Sequence, residues 1–432
     1  MIQALYRGFS RAVAPLLPAL LQRRVRAGKE DASRLGERLG RPAKPRPTGP
    51  LFWVHAASVG ESLSVLPLIE RLLQDNRRAT VLLTTGTVTS ARMMAARLPE
   101  RAIHQFVPVD IPKAVAGFLD HWRPDAALWV ESEFWPNLID ETRRRGIPMA
   151  LVNARLSEKS FRNWKLLPGT IAELLSAFQI CIAQSPGDAG RLGSLGVRNV
   201  TCHGNLKDSA PPLRSDPRET YQLTQAIGRR PFWLAASTHP GEERLIAKAH
   251  VRARRSLPNL LTILVPRHPQ RGAEIEAELA SPDLPIALRS RDQAIEPTTQ
   301  IYLADTLGEL GLFYRAAPLV FVGGSLVPHG GQNPLEPARL DCAILLGPHT
   351  FNFAEQAARL TAAGGARTVA DLEALSASVE SLLQQPEELA RMARAAASVA
   401  DSSRQALDAI VLSLKPLLNG HAGHPGQPGQ PA

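Results

Sequence analysis

The chain has 432 residues, of which 44% are hydrophobic and 21% are charged, and its formal net charge is +10. A single hydrophobic core rarely extends beyond about 250–300 residues, so we expect two domains of roughly 200 residues each. This composition excludes a disordered chain and a small disulfide-stabilised scaffold. Three cysteines without a Cys-x-x-Cys pair predict neither a disulfide framework nor a zinc motif.

The positive charge is concentrated at the N-terminus. Residues 1–50 hold 11 basic and 3 acidic side chains, whereas the remainder holds 39 basic and 37 acidic side chains. A basic excess of this kind indicates a polyanionic partner, such as nucleic acid, an anionic membrane surface or a phosphorylated substrate. Because the body of the chain is nearly neutral, we do not expect nucleic acid as a partner.

Residues 1–48 are predicted to form a basic, amphipathic leader and a linker. The apolar run 12–21 is about half the length of a spanning helix and contains two prolines. Four basic residues follow it within positions 23–29, which is the reverse of a secretory signal peptide. We expect a helix lying on the cytoplasmic face of a membrane, held by apolar burial and anionic lipid. The alternatives are a short single span and a helix that only packs on the first domain.

After the leader, short apolar runs alternate with amphipathic stretches, which is typical of βαβ units around a parallel sheet. The predicted fold class is α/β, with two doubly wound, Rossmann-like domains facing across a cleft. The predicted strands are 51–57, 79–85, 103–107, 125–131, 148–153 and 178–184, then 231–237, 259–266, 300–305, 318–323 and 342–347. The predicted boundaries are an N-terminal domain over 49–208, a linker over 209–218, a C-terminal domain over 219–415 and a disordered tail over 416–432.

Ligands of open α/β sheets bind at the carboxyl ends of the strands. Three motifs of the first domain follow predicted strands and so lie at these ends. In HAASVGE (55–61), Glu61 is either an acid stabilised by the helix dipole or a general base. In ESEFWPN (131–137), two acids beside two aromatic residues suit a sugar, or they are solvated acids at a helix start. In GNLKD (204–208), Lys207 either faces solvent or meets an anionic group. The spacing leaves each pair of interpretations open.

Three motifs of the second domain are typical of phosphate and nucleotide binding. In VPRHP (265–269), Arg267 presents a planar fork that suits a phosphate or a carboxylate. In GGQNPLEP (330–337), Asn333 predicts a helix N-cap and Pro334 the first helical residue, so the glycine-rich segment predicts an anion site. Glu336 would then accept ribose hydroxyls, and the segment 307–309 supplies a further carboxylate and backbone amides. No sequence pattern for a metal or cofactor is present, so we expect neither.

Together these motifs resemble a known family. HAASVGE, ESEFWPNL, VNARLS, GNLK, STHPGEE, VPRHP, DTLGEL, FVGGSLVPHGGQNPLEPA and GPHTFNF occur in the order typical of bacterial 3-deoxy-D-manno-octulosonate (Kdo) transferases. These enzymes are GT-B type glycosyltransferases of lipopolysaccharide assembly. The resemblance extends from the leader to about residue 363.

The resemblance implies inverting transfer of Kdo from CMP-Kdo to a lipid A precursor (lipid IVA) at the cytoplasmic side of the inner membrane. It implies that Glu61 is the base and that Glu131 and Lys207 support the transition state. The residues that it implies for CMP binding are Pro266, Arg267, Leu307, Gly308, Glu309, Asn333, Pro334, Leu335 and Glu336. A monophosphate leaving group needs less neutralisation than a diphosphate, which agrees with the lack of a metal motif. The alternatives are a different nucleotide sugar and a non-catalytic nucleotide-sugar-binding protein.

Overall fold

The computed structural model of the chain describes residues 2–131 and 133–419. It divides into two compact units. The first comprises residues up to Ala210 together with the described residues from Ser403 onwards, and the second comprises Pro211–Ser402.

The first unit contains a seven-stranded parallel sheet with the order β3-β2-β1-β4-β5-β6-β7. Its strands are β1 (Leu51–His55), β2 (Thr80–Thr85), β3 (Ala102–Phe106), β4 (Ala126–Val130), β5 (Met149–Ala154), β6 (Ile180–Ala183) and β7 (Val200–Cys202). Its helices before residue 210 are α1 (Ile2–Val13), α2 (Leu17–Arg26), α3 (Leu35–Arg38), α4 (Val59–Ser64), α5 (Leu66–Asp75), α6 (Val88–Ala95), α7 (Pro112–Trp122), α8 (Pro136–Arg144), α9 (Glu158–Lys165), α10 (Pro168–Leu175) and α11 (Pro186–Ser194).

The second unit contains another seven-stranded parallel sheet, with the order β10-β11-β9-β8-β12-β13-β14. Its strands are β8 (Phe232–Thr238), β9 (Leu261–Pro266), β10 (Ile286–Leu288), β11 (Ile301–Leu303), β12 (Leu319–Val322), β13 (Ala343–Leu346) and β14 (Ala366–Thr368). Its helices are α12 (Pro217–Ile227), α13 (Glu242–Ala253), α14 (Gly272–Leu279), α15 (Leu310–Ala316), α16 (Leu335–Ala338), α17 (Ala354–Ala362) and α18 (Leu372–Gln384). A last helix, α19 (Pro386–Asn419), contributes residues to both units.

Both faces of each sheet are covered, which is why the strands are continuous apolar runs. In β1 all five residues are buried, and successive side chains enter opposite faces: Leu51 and Trp53 join one core cluster, and Phe52 and Val54 join the other. The predicted α/β class with two doubly wound parallel sheets is therefore confirmed.

The structure contains all eleven predicted strands and three that the sequence pattern did not predict. The three are β7, β10 and β14; each has three residues and lies at an edge of its sheet. A strand of three residues is too short for the apolar pattern to mark it, and β7 and β14 are also mostly polar or exposed.

The sequence predicted that the C-terminal domain ends at residue 415 and that a disordered tail follows. The end of α19 contradicts both expectations for residues 416–419. Ile410, Leu414 and Leu417 recur on one helical face and are buried in the core of the first unit. Residues 416–419 are therefore helical and packed, and the first unit is discontinuous in sequence. Positions 420–432 of the expected tail lie outside the described residues.

The leader forms α1 and α2 and packs on the first unit. The Tyr6 hydroxyl donates to the Asp110 carboxylate over 3.0 Å, and the Asn137 side-chain amide donates to the Ser10 hydroxyl over 3.1 Å. Four large apolar side chains of the leader nevertheless stay exposed: Leu5, Phe9, Leu16 and Leu20. Of the helices that the structure describes, none is both long enough and apolar enough to cross a membrane.

Candidate active-site residues

The turn between β1 and α4 places Glu61 at the carboxyl end of the first sheet. The Ser58 hydroxyl accepts a hydrogen bond from the backbone N–H of Glu61 over 3.3 Å and caps the helix. The Glu61 carboxylate accepts the backbone N–H of Ala57 and the Ser58 hydroxyl, both over 2.8 Å. This reciprocal capping box explains why Ser-Val-Gly-Glu turns from strand to helix at this point.

Glu61 is also an unusual carboxylate, because only 8% of it is exposed. Burial raises its pKa above the ordinary value, and the nearby Glu131 carboxylate raises it further. The hydrogen bonds from Ser58 and Ala57 oppose this shift but do not cancel it. A carboxylate with a raised pKa holds a proton more readily, as a general base must.

Glu131 directly follows β4 in a left-handed backbone conformation, with φ of 59°. A positive φ is unfavourable for a residue with a side chain and persists only where surrounding contacts impose it. One such contact is an ion pair, in which the Lys207 Nζ lies 2.9 Å from Glu131 Oε1. The structure thus brings together Glu131 and Lys207, which are 76 positions apart in the chain.

Two asparagines position the loop that carries Lys207. Asn205 Oδ1 accepts the backbone N–H of Lys207, and Asn153 Oδ1 accepts the backbone N–H of Leu206, each over 3.0 Å. Asn153 is fully buried in β5 and has a φ of 52°. Asn153 is not among the site residues predicted from the sequence. The motif VNARLS places this polar residue within an apolar strand, and that pattern could have indicated it.

Glu133 is a further acid that we did not select from the sequence. Burial raises its pKa, and so does the charge of Glu61, while a hydrogen bond from Trp135 opposes the shift. Its backbone carbonyl accepts the indole N–H of the buried Trp129 over 2.7 Å. The first-unit site therefore contains Glu61, Glu131, Glu133 and Lys207, which gives three carboxylates and one ammonium group.

In the second unit, Pro266 ends β9 and Arg267 follows it with an exposed side chain. The backbone N–H of Arg267 donates to the Thr238 carbonyl over 3.0 Å, which fixes the start of the loop. The positive charge of Arg267 lowers the pKa of both Glu336 and His239, so its guanidinium lies near both side chains. The role of Arg267 in binding an anionic ligand stays a prediction.

The segment 307–309 differs in detail from the expectation of a free carboxylate. The Glu309 carboxylate accepts Arg289 Nε over 2.7 Å and also the Thr306 hydroxyl. Arg289 lowers the pKa of Glu309 and keeps it ionised. Leu307 is 82% exposed and Gly308 has a φ of 86°. This segment offers a ligand backbone groups and an apolar side chain rather than an unpaired acid.

The glycine-rich segment requires a correction. The N-cap of α16 is Pro334 and not Asn333, although the Asn333 side chain accepts the backbone N–H of Leu335 over 3.1 Å. Because α16 has only four residues, its N-terminus contributes little dipole to the expected anion site, which stays a prediction. Burial raises the pKa of Glu336, while Arg339, Asn333 and Arg267 oppose the shift.

The backbone amides of the turn after β12 are also occupied. Glu242 is fully buried, and its Oε1 accepts the N–H groups of Ser325 and Leu326 over 3.0 and 2.9 Å. Its Oε2 accepts those of Gly324 and His239 over 2.6 and 3.0 Å. These amides therefore hold a carboxylate of the protein itself, a role for Glu242 that sequence analysis missed.

Within residues 2–131 and 133–419, no group of three or more His, Cys, Asp or Glu side chains is arranged to hold a metal ion.

The chain is similar to known proteins over most of its length. Residues 33–210 match the family model described as 3-deoxy-D-manno-octulosonic-acid transferase (kdotransferase). The 3-deoxy-D-manno-octulosonic acid transferase of Haemophilus influenzae is 35% identical over 392 residues, which cover 89% of this chain and 91% of that protein.

Solved structures are similar to the chain as well. The C-terminal CMP-Kdo binding domain of WaaA from Acinetobacter baumannii is 34% identical, with a TM-score of 0.40, and covers 42% of this chain and 96% of that domain. The UDP-GlcNAc 2-epimerase of Neisseria meningitidis is 14% identical, with a TM-score of 0.56, and covers 85% of this chain and the whole of that protein. The second likeness concerns the fold alone.

Two parallel α/β sheets of seven strands each give the chain a GT-B-like fold, which it shares with the UDP-GlcNAc 2-epimerase. The identity over nearly the whole chain is more specific. The chain belongs to the 3-deoxy-D-manno-octulosonic acid transferase family, and it is a Kdo transferase of lipopolysaccharide biosynthesis.

Proposed function

We propose that this Kdo transferase uses CMP-Kdo as donor and a lipid A precursor, lipid IVA, as acceptor, with inversion at the anomeric carbon and without a metal ion. The observation that carries the proposal is the nearly buried Glu61, whose pKa is raised, beside the ion pair of Glu131 and Lys207. A non-catalytic sugar-binding protein would not need this arrangement.

Glu61 takes the proton from the attacking hydroxyl of the acceptor. The hydroxyl oxygen forms the new bond to the anomeric carbon of Kdo, while the bond from that carbon to the phosphate oxygen of CMP breaks and its electron pair leaves with CMP. The sugar passes through an oxocarbenium-like transition state, which nearby carboxylates stabilise. Lys207 orients the Glu131 carboxylate, because its ammonium group lies 2.9 Å away.

The second unit holds the CMP portion. The Arg267 guanidinium binds the phosphate and stabilises the charge that develops on it as the bond breaks. Pro266 and the segments 307–309 and 333–336 surround the nucleoside, with Glu336 as the acceptor of the ribose hydroxyls. The ionised Glu309 is held by Arg289 and shapes this segment rather than touching the phosphate.

The leader keeps the enzyme at the cytoplasmic face of the inner membrane. Leu5, Phe9, Leu16 and Leu20 are exposed on α1, α2 and the turn between them, and several arginines of the leader are exposed as well. Apolar side chains and arginines on one surface segment bind an anionic bilayer by insertion and by charge. An acceptor embedded in the membrane is thereby brought within reach.

Mass spectrometry of the lipid product tests the proposal. The purified protein is incubated with lipid IVA and either CMP-Kdo or a UDP-sugar, with a chelator present. We expect the mass of Kdo to be added only from CMP-Kdo. Product from a UDP-sugar alone would identify a different donor, and no product from any donor would support the non-catalytic alternative. The Glu61→Ala variant should form no product although CMP still protects it against heat.

A further inference from the structure

A cavity of about 410 Å³ lies within the first unit against the leader. This volume is in the range of small-molecule and lipid sites, about 300–1,000 Å³. Apolar side chains supply most of its wall: Phe9, Val13 and Leu17 from the leader, and Val107, Ile111 and Trp135 from the body of the unit.

The charged groups of the wall are Asp110, Arg38 and Glu133, and each has a hydrogen-bond partner within the protein; the Glu133 carboxylate accepts the Trp135 indole N–H over 3.2 Å. The Asp110 carboxylate accepts the Tyr6 hydroxyl and the backbone N–H groups of Asn137 and Leu138, over 2.8–3.1 Å. Arg38 forms an ion pair with the buried Glu30 and donates to the Val107 carbonyl. Because these groups are engaged, the cavity offers a ligand mainly apolar contacts, and a space of that kind binds hydrocarbon better than water.

The cavity connects two functional regions of the first unit. On one side it is lined by Ala57, whose N–H binds the Glu61 carboxylate, and by Glu133 of the acidic site. On the other side it is lined by Phe9, which is 69% exposed among the apolar side chains of the leader. An apolar path therefore leads from the surface of the leader to the neighbourhood of Glu61.

We infer that this cavity binds one acyl chain of the lipid acceptor and so places the acceptor sugar beside Glu61. The inference rests on the proposed function, since it takes the acceptor to be a lipid A precursor. Its chemistry is specific: the occupant is a hydrocarbon chain attached to the sugar that reacts, and not a chain of a bilayer phospholipid.

Filling the cavity tests the inference. The Val13→Trp variant places an indole in the wall, and the Ala12→Trp variant adds the same ring at an exposed neighbouring position that does not line the cavity. We expect Val13→Trp to raise the KM for lipid IVA about tenfold, which corresponds to losing the burial of about two methylene groups. The KM for CMP-Kdo and the kinetics on fully deacylated acceptor should not change, and Ala12→Trp should behave as the parent protein.

A direct measurement covers the case in which Val13→Trp does not fold. Fluorescence of 11-(dansylamino)undecanoic acid reports occupancy in the parent protein, and lipid IVA, deacylated acceptor and phosphatidylglycerol compete with it in turn. Displacement by lipid IVA at the lowest concentration supports the inference. Equal displacement by phosphatidylglycerol, or no displacement by lipid IVA, would overturn it.

The two proposals fail in different ways. If the parent protein forms product with the same KM for acylated and deacylated acceptor, the cavity is not an acyl-chain site although the transferase function stands. If no product forms from CMP-Kdo with either acceptor, the proposed donor and acceptor are wrong whatever the probe shows.

Discussion

The turns after β1 and after β8 follow the first strand of each unit, and both carry a Gly-Glu pair, yet the two glutamates have different environments. Glu61 and Glu242 each accept a backbone N–H of their own turn. β8 pairs with β9 and β12, and Glu242 also accepts three amides of the turn after β12. β1 pairs with β2 and β4, and β4 is followed by the acid Glu131.

The comparison indicates that the groups on the turn after the neighbouring strand determine the environment of each glutamate carboxylate. Amide donors satisfy Glu242 on both oxygens and make it a structural link between two turns. Burial raises the pKa of both carboxylates, but Glu61 has fewer donors and the charge of Glu131 adds to its rise. The same local motif therefore links two turns in one unit, whereas in the other it carries the carboxylate that we propose as the proton acceptor.

The largest expected effect follows from Glu61→Gln. Glutamine keeps the shape of the side chain and can still accept the Ala57 N–H, but it cannot take a proton. We expect kcat to fall by about 10²–10⁴-fold, the usual contribution of a general base. Urea unfolding should show a nearly unchanged free energy, and retained activity would exclude Glu61 as the base.

Lys207→Met should have the next largest effect, since it removes the cation that holds Glu131. We expect kcat to fall by about 10²–10³-fold, in line with the loss of one electrostatic group from an active site. Lys207→Arg is the matched control, because it retains the charge. Equal loss in both variants would indicate that the loop, and not the charge, had been disturbed.

Glu242→Gln tests the other half of the comparison. The amide NH₂ of glutamine would face backbone N–H donors, so two of the four hydrogen bonds would be lost. We expect unfolding to require about 3 kcal/mol less free energy, given the usual strength of hydrogen bonds to a buried charged group. Denaturant titration measures this, with Glu296→Gln as a control at an exposed position of the same unit. An unchanged midpoint would contradict the structural role.

The smallest expected effect is a shift in pH dependence. Because Glu61 must be ionised to act, kcat/KM should rise with pH through the pKa of Glu61, which lies above the ordinary 4.5. Glu131→Gln removes a negative charge that raises this pKa. The rising limb should therefore move to lower pH by less than about one unit. A shift to higher pH would show that Glu131 does not act on Glu61 in this way.

How far the sequence predicts these features depends on the distance between partners in the chain. Ser58 and Glu61 are three residues apart, so their capping box is visible in the sequence. Three of the four amides that bind Glu242 lie 82 or more positions away, and no local pattern indicates them. The sequence predicts Lys207 and Glu131 at the ends of two separate strands, but it does not predict the ion pair between them. Asn333 was placed one position too early as a cap, because Pro334 itself is the N-cap of α16.

The last helix has a consequence for the order of events during synthesis. Ile410, Leu414 and Leu417 complete the apolar core that the first two hundred residues begin. Domains commonly fold in the order in which the ribosome produces them, but here the earlier unit must wait for the final turns of α19. The first unit therefore completes its apolar core only after the second unit has been synthesised.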